Sequence, residues 1–160
     1  MLLNQGSGLG FAAAQIYAVG GFASSVALGD VNGDGTLDIV GANSGNSCVN
    51  VLPGNGDGTF GTAQTYAVAG APNSIALGDF NGDGTLDIVT TGTAEVDVLL
   101  NNRNGSFAAA QAVGPAGSSV VVADFNNDSL PDLAQIDGSG TSLDVILNTS
   151  NTGGKGHGHK

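Results

Sequence analysis

Asp30, Asn32, Asp34 and Asp38 place side-chain oxygens at positions 1, 3, 5 and 9 of one short stretch, and Thr36 can offer its carbonyl at position 7. Gly33 and Gly35 free the backbone between them to curl around a point. The set returns as Asp79, Asn81, Asp83, Thr85 and Asp87, and again as Asp124, Asn126, Asp128, Leu130 and Asp132. Hard oxygen donors on a glycine-kinked loop are what Ca²⁺ requires, so up to three calcium ions are the expected cofactor. Crowded carboxylates repel unless a cation sits among them, so each loop is expected to be a liability when bare and a cross-link when loaded. An EF-hand is excluded, because its twelfth position needs a bidentate glutamate and these loops have Gly41, Thr90 and Gln135 there, with no helical pattern on either side. The rival reading is that such clusters form tight hairpin turns without any metal. It weighs most on the third loop, where Asn127 and Ser129 replace both glycines and Pro131 stiffens the exit, so its occupancy stays open between the two readings.

The chain that must position these loops has 160 residues, 28 of them glycine and none tryptophan, room for one or two small domains and not for a large enzyme. Fourteen acidic residues face three basic ones (Arg103, Lys155 and Lys160), a formal net charge of −11. That balance excludes nucleic acid and anionic membranes as partners. A hydrophobic content of 41% still supplies apolar surface to bury, provided the aspartates are neutralised. Nine of the 14 acidic residues lie in the three loops, and adding three charges of +2 to −11 leaves −5.

No apolar run reaches the length of a membrane span, and Met1–Gly6 has neither the basic nor the long apolar region of a signal peptide. Cys48 is the sole cysteine, so sulfur cannot cross-link the fold, and it reads as a small packed residue. Taking extracellular calcium at about 1 mM and a site affinity of about 0.1 mM, each loop adds about 1.4 kcal/mol and three add about 4 kcal/mol. In calcium-poor cytosol that gain nearly vanishes, which points to an extracellular or cell-surface setting.

The loops belong to a repeat of 49 and then 45 residues, seen also in Phe11-Ala-Ala-Ala-Gln15, Phe60-Gly-Thr-Ala-Gln64 and Phe107-Ala-Ala-Ala-Gln111. Leu3-Asn4, Leu52-Pro53, Leu100-Asn101 and Leu147-Asn148 mark a third phase. Within the best-preserved unit, short apolar runs at Ser25–Gly29, Asp38–Ala42, Cys48–Leu52 and Ala63–Val68 are separated by turn residues, which predicts four strands, A to D, and an all-β chain. Four strands in about 45–50 residues is one propeller blade. The expected organisation is a partial blade at 1–20, full units at about 21–70 and 71–117, a last partial blade at 118–149, and a flexible Gly/His/Lys tail at 150–160. In that tail His157 and His159 have no positioned partners for Zn²⁺ or Ni²⁺. The turn Gly54–Phe60 carries a single carboxylate, Asp57, and reads as a hairpin.

Leu2–Asn4 reads as the end of a C strand and Phe11–Val19 as a D strand, whereas Ser118–Asn148 supplies only A, B and C. The ends are complementary, and three blade-equivalents are too few for a closed ring of four to eight. Either the chain is a piece of a longer propeller or copies join head to tail. Two would then make six blades, and a contact that fails to close would make a filament.

The stretches 30–40 and 79–89, Leu52 to Phe60, and Gly41-Ala42-Asn43 together resemble the FG-GAP repeat, also described as the VCBS repeat, over about residues 1–149. The resemblance implies calcium-binding blades like those of the integrin α-subunit propeller, with the metal loops joining strands A and B on one rim. It further implies a role in adhesion, ligand binding or surface assembly. Its partners are expected to be a protein or a glycan, as in a lectin-like propeller, besides other copies of the chain. A calcium-dependent hydrolase fragment is the rival from another class. Against it, no histidine lies in the repeats, no Ser/His/Asp or Cys/His set is present, and Arg103 is the one basic residue there, so the chain is not expected to be an enzyme.

Overall fold

The structure, a computed structural model, describes residues 10–150. Among them there is no helix, and eleven strands form three antiparallel sheets. The first holds β1 (Ala23–Gly29), β2 (Asp38–Asn43), β3 (Cys48–Leu52) and β4 (Gln64–Ala67) in chain order. The second repeats it with β5 (Pro72–Gly78), β6 (Asp87–Gly92), β7 (Glu95–Leu99) and β8 (Gln111–Pro115). The third has β9 (Gly117–Ala123), β10 (Asp132–Asp137) and β11 (Leu143–Ile146), in the order β11-β10-β9. These are the strands that the alternation of apolar runs and turn residues predicts, as propeller-like blades.

The sheets stack face to face, β1 on β5 and β5 on β9. Val40, Ala42, Val49 and Val51 of the first blade meet Ile75, Ile88 and Leu99 of the second in one core. Val89, Val96 and Val98 of the second meet Val120 and Leu133 of the third in another. All of β6, in the blade with a neighbour on both faces, is therefore buried, and β3 is buried throughout as well. Glycine permits the close approach at the end of each A strand: a Cβ on Gly29 would lie 2.7 Å from Leu77 Cδ1, and one on Gly78 3.0 Å from Val122 Cγ1. Thr91 Oγ1 adds a buried hydrogen bond across blades, donated to Gln135 Oε1 at 2.8 Å.

Two expectations are corrected by the ladders. Ile39 pairs with Leu52, Ile88 with Leu99 and Leu133 with Ile146, so Leu100 and Leu147 match Pro53 and not Leu52. Residues 12–19, expected as part of a D strand, form no ladder. A strand exists by pairing, and none of the three sheets reaches this segment. Its Tyr17 is nonetheless seated, because it stacks edge-on against Phe60 at 5.5 Å and accepts the Phe60 N–H on its hydroxyl at 3.1 Å. Leu3-Asn4 and the tail beyond residue 150 lie outside the described residues.

Leu99 is wholly buried in the core between the first two blades. Leu99→Ala is expected to cost about 2–5 kcal/mol in urea unfolding at fixed calcium. A cost below about 1 kcal/mol would mean that the blades are not packed as described.

Candidate metal centre

Each acidic loop joins the A and B strands of its blade, and four hydrogen bonds recur in all three. In the first, Asp30 Oδ1 accepts the N–H groups of Gly33 at 2.7 Å and Asp34 at 3.2 Å, and Oδ2 accepts that of Gly35 at 2.8 Å. Asn32 Oδ1 accepts the Asp34 N–H at 2.8 Å, and Asp34 Oδ1 accepts both the N–H and the hydroxyl of Thr36. Asp79 likewise takes the N–H groups of Asp83 and Gly84, and Asp124 those of Asp128 and Ser129. Positions 1, 3 and 5 thus lie on one curl in every blade. The curl needs left-handed backbone at two positions, met by Gly33 and Gly35 (φ 79° and 84°) and by Gly82 and Gly84. Asn127 and Ser129 adopt the same conformation at φ 61° and 73°, so the third loop keeps its shape without glycine. Asparagine tolerates that region through local hydrogen bonding, and serine less so.

Position 9 does something the sequence did not reveal. Asp38 is buried, and its two oxygens accept backbone N–H groups from opposite sides: Val31 at 2.9 Å, just inside the loop, and Gly54 at 2.8 Å, just past β3. Asp87 straps Phe80 to Asn101, and Asp132 straps Phe125 to Asn148, at 2.7–3.0 Å. Each of these carboxylates ties the start of its loop to the end of its C strand, satisfying donors that have no ladder partner. The available signal was the strand alternation, since Val40 and Ala42, two and four positions on, share the face of Asp38 and are apolar.

Among the described residues no three His, Cys, Asp or Glu side chains gather into a ready metal group. The repulsion expected of the loops is met instead by N–H dipoles, and in loops one and three by an amide: Asn32 Nδ2 donates to Asp34 Oδ2, and Asn126 Nδ2 to Asp128 Oδ2, both at 2.9 Å. In loop two a cation of the chain itself is used, with Arg103 Nε 3.0 Å from Asp83 Oδ2. The donor set fits Ca²⁺ in kind. All donors are hard oxygens, and a carboxylate has about four lone-pair sites, of which three are used at Asp30 and two at Asp38. The residues that would hold an ion are Asp30, Asn32, Asp34 and Asp38, with their counterparts Asp79, Asn81, Asp83 and Asp87, and Asp124, Asn126, Asp128 and Asp132. The carbonyls of Thr36, Thr85 and Leu130 complete the sets.

Hydrogen bonding and burial move the carboxylate pKa values in opposite directions. The Thr85 hydroxyl and then Arg103 hold Asp83 down at about 2, and the Thr36 hydroxyl lowers Asp34. Asp57 and Asp137 are lowered mainly by the hydroxyls of Thr59 and Ser139. Burial pushes Asp87 up, against its two N–H donors.

Stacked antiparallel blades that each carry the same acidic loop define a propeller-like repeat protein. The FG-GAP-like repeat family model matches residues 30–90 and 79–134, each match running from one acidic loop into the next, and the chain belongs to that family. None of the curated proteins matches it. Among solved structures it is similar to a lectin of Agrocybe aegerita whose structure is titled for specific recognition of non-reducing terminal N-acetylglucosamine. Identity is 30% and the TM-score 0.56, over 78% of this chain and 35% of the lectin, so the chain spans about a third of that protein. No helix among the described residues is long and apolar enough to cross a membrane.

Asp38→Asn retains one acceptor and sets an amide N–H₂ against a backbone N–H. It is expected to cost about 1.5–3 kcal/mol in EDTA as well as in calcium, whereas Asp30→Asn should lose stability mainly in calcium. Urea midpoints of both variants in both buffers check this, and equal calcium dependence would remove the strap role. In EDTA, stability should fall between about pH 4 and pH 2. Asp34, Asp57, Asp83 and Asp137 have folded pKa values below their ordinary ones, so their contribution is present above about pH 4 and lost on protonation. Asp87 has the opposite sign and offsets part of the loss. A midpoint that is flat or rises toward pH 2 would contradict the depressed carboxylates.

Proposed function

We propose that this chain is an extracellular recognition module whose blade loops are stabilised by Ca²⁺ and whose blades form part of a propeller ring. The observation that carries the reading is the recurrence of one oxygen-rich curl, with four hydrogen bonds in common, at the same place in three blades of an FG-GAP-like repeat chain. Bound there, Ca²⁺ supplies positive charge to a chain of net charge −11 and links the two ends of each loop. The protein's own part is to hold the oxygens in place: N–H groups orient positions 1, 3 and 5, and the position-9 carboxylate fixes the loop to the end of the C strand. That rigid rim then presents the neighbouring turns, such as Gly54–Phe60, whose Gly54 carbonyl accepts the Thr36 hydroxyl at 3.1 Å. The module acts in adhesion, ligand binding or surface assembly, without catalysis, since the repeats hold no histidine and one basic residue.

A glycan is the ligand class favoured within this reading, because the similarity to the lectin extends over most of the chain at 30% identity. Polar side chains on open turns suit hydroxyl-rich ligands, and an acidic surface disfavours anionic ones.

Thermal unfolding at about 1 mM Ca²⁺ and in EDTA tests the metal: about 4 kcal/mol of added stability is expected in calcium, and far less in a D30N/D79N/D124N variant. Calorimetric titration with an oligosaccharide ending in N-acetylglucosamine, with and without calcium, tests the ligand. Identical melts would discard the metal, and absent heat would discard the glycan alone.

A further inference from the structure

Turns of one design join the C and D strands of the first two blades. Gly54 pairs with Phe60 across the first, and Asn101 with Phe107 across the second. Asn55 donates its N–H to the Thr59 carbonyl at 3.0 Å, and Asn102 to that of Ser106 at 2.9 Å. Their side-chain amides reach the hydroxyls of the same two residues, at 2.9 and 3.0 Å. The charge is what differs, because Gly56 and Asp57 of the first turn correspond to Arg103 and Asn104 of the second. One turn therefore carries a negative charge and the other a positive one.

The exchange runs against the backbone. Gly56 has φ 77° and Arg103 φ 65°, in the left-handed region that glycine enters freely and a long side chain does not. Arg103 is held there with its N–H donated to Asn101 Oδ1 at 2.9 Å. Asn101 in turn donates its own N–H to Asp87 Oδ1 at 2.8 Å and its amide to the Leu86 carbonyl at 3.0 Å, so the turn is fastened to the exit of the second acidic loop. Gly105 of the same turn rests against loop one, where a Cβ would lie 2.6 Å from Asn32 Cβ. The turn stands between two acidic loops, and its guanidinium goes to the second, with Nε 3.0 Å from Asp83 Oδ2.

That oxygen is where the loops part company. In loops one and three the matching Oδ2 takes the amide of the loop's own asparagine, Asn32 on Asp34 and Asn126 on Asp128. An amide is neutral and belongs to the loop. The guanidinium is a full charge brought in from another segment, so a divalent ion beside Asp83 meets a like charge and a rival for one oxygen.

We propose that Arg103 is a tethered counter-ion of the second loop: it holds Asp83 when no metal is bound, competes with Ca²⁺ for the same oxygen, and makes this loop take the ion more weakly than the first. Calcium entering loop two displaces the guanidinium, whose side chain is 65% exposed and has open solvent to move into. Within the calcium reading above, on which this rests, the repeat is graded, and loop one fills at lower calcium than loop two.

The test is calorimetric titration of the full chain with Ca²⁺ alone, for wild type, Arg103→Gln, Arg103→Lys and Asp79→Asn. Asp79→Asn identifies the second loop's share of the heat as the part it removes. Arg103→Gln is expected to tighten that part about three- to fivefold, the scale of an exposed ion pair, and to leave the rest unchanged. Arg103→Lys keeps the charge and should stay near wild type, whereas a role in shape alone would give lysine and glutamine the same effect. Linkage requires the converse in stability. Arg103→Gln should lower the urea midpoint in EDTA, and the gap should close in saturating calcium, where the wild-type pair is already broken. Binding in Arg103→Gln that is unchanged or weaker, lysine behaving as glutamine, or a gap that persists in calcium would overturn the proposal alone. No calcium heat in any of the proteins would overturn it together with the metal reading.

Discussion

A thin sheet of valine, alanine, leucine and glycine is apolar on both faces, and nothing else in this protein follows until both faces are covered. The chain has no internal disulfide and no helix among its described residues to lay over a sheet. Covering one blade with the next is the available solution, and it dictates small side chains and glycine where A strands converge, as Gly29 against Leu77 shows. It also explains why β6, in the middle blade, has no exposed position while Val26 of the first blade stands in water. The same need makes the blade stack open-ended, since any finite stack leaves one face bare at each end.

Within a blade, the aspartates divide into two kinds by where the chain turns. Those at position 9 sit where the B strand begins, inside the stack, and a buried carboxylate persists there because two N–H groups without ladder partners need an acceptor. Those at positions 1 and 5 sit on the solvent side and organise the curl. The chain therefore carries a charge of −11 without three bare carboxylate clusters: N–H dipoles, two asparagine amides and Arg103 meet part of the negative potential. Calcium, in the proposed reading, adds to a loop already shaped by the backbone. This accounts for the third loop, in which Asn127 and Ser129 hold left-handed conformations and the hydrogen bonds to Asp124 survive.

The likeness to a lectin and the membership of the FG-GAP-like repeat family bear on different parts of the molecule. The family match runs through the acidic loops, which in the proposed reading stiffen one rim. Recognition would fall to turns and inter-blade clefts, which the repeat leaves free to vary because they carry little of the core.

The repeat, the all-β class, the strand order within a blade and the positions of the loops were legible in the residues, because each depends on local alternation and on turn chemistry that Gly, Asn and Asp declare openly. The register slip at Leu100 was not, since Leu99 and Leu100 are indistinguishable until a ladder sets Ile88 opposite one of them. Nor was the strap: Asp38 reads as one more oxygen beside Asp30 and Asp34, and only the packed blade brings the Val31 and Gly54 N–H groups to its two sides. The edge-on pairs Tyr17–Phe60 and Tyr66–Phe107 likewise exist only once distant segments are packed together. Sequence by itself settled what each blade is made of, through forces acting over a few residues. Tertiary structure decided which faces and donors are satisfied, because satisfaction depends on groups that the chain brings together from distant positions.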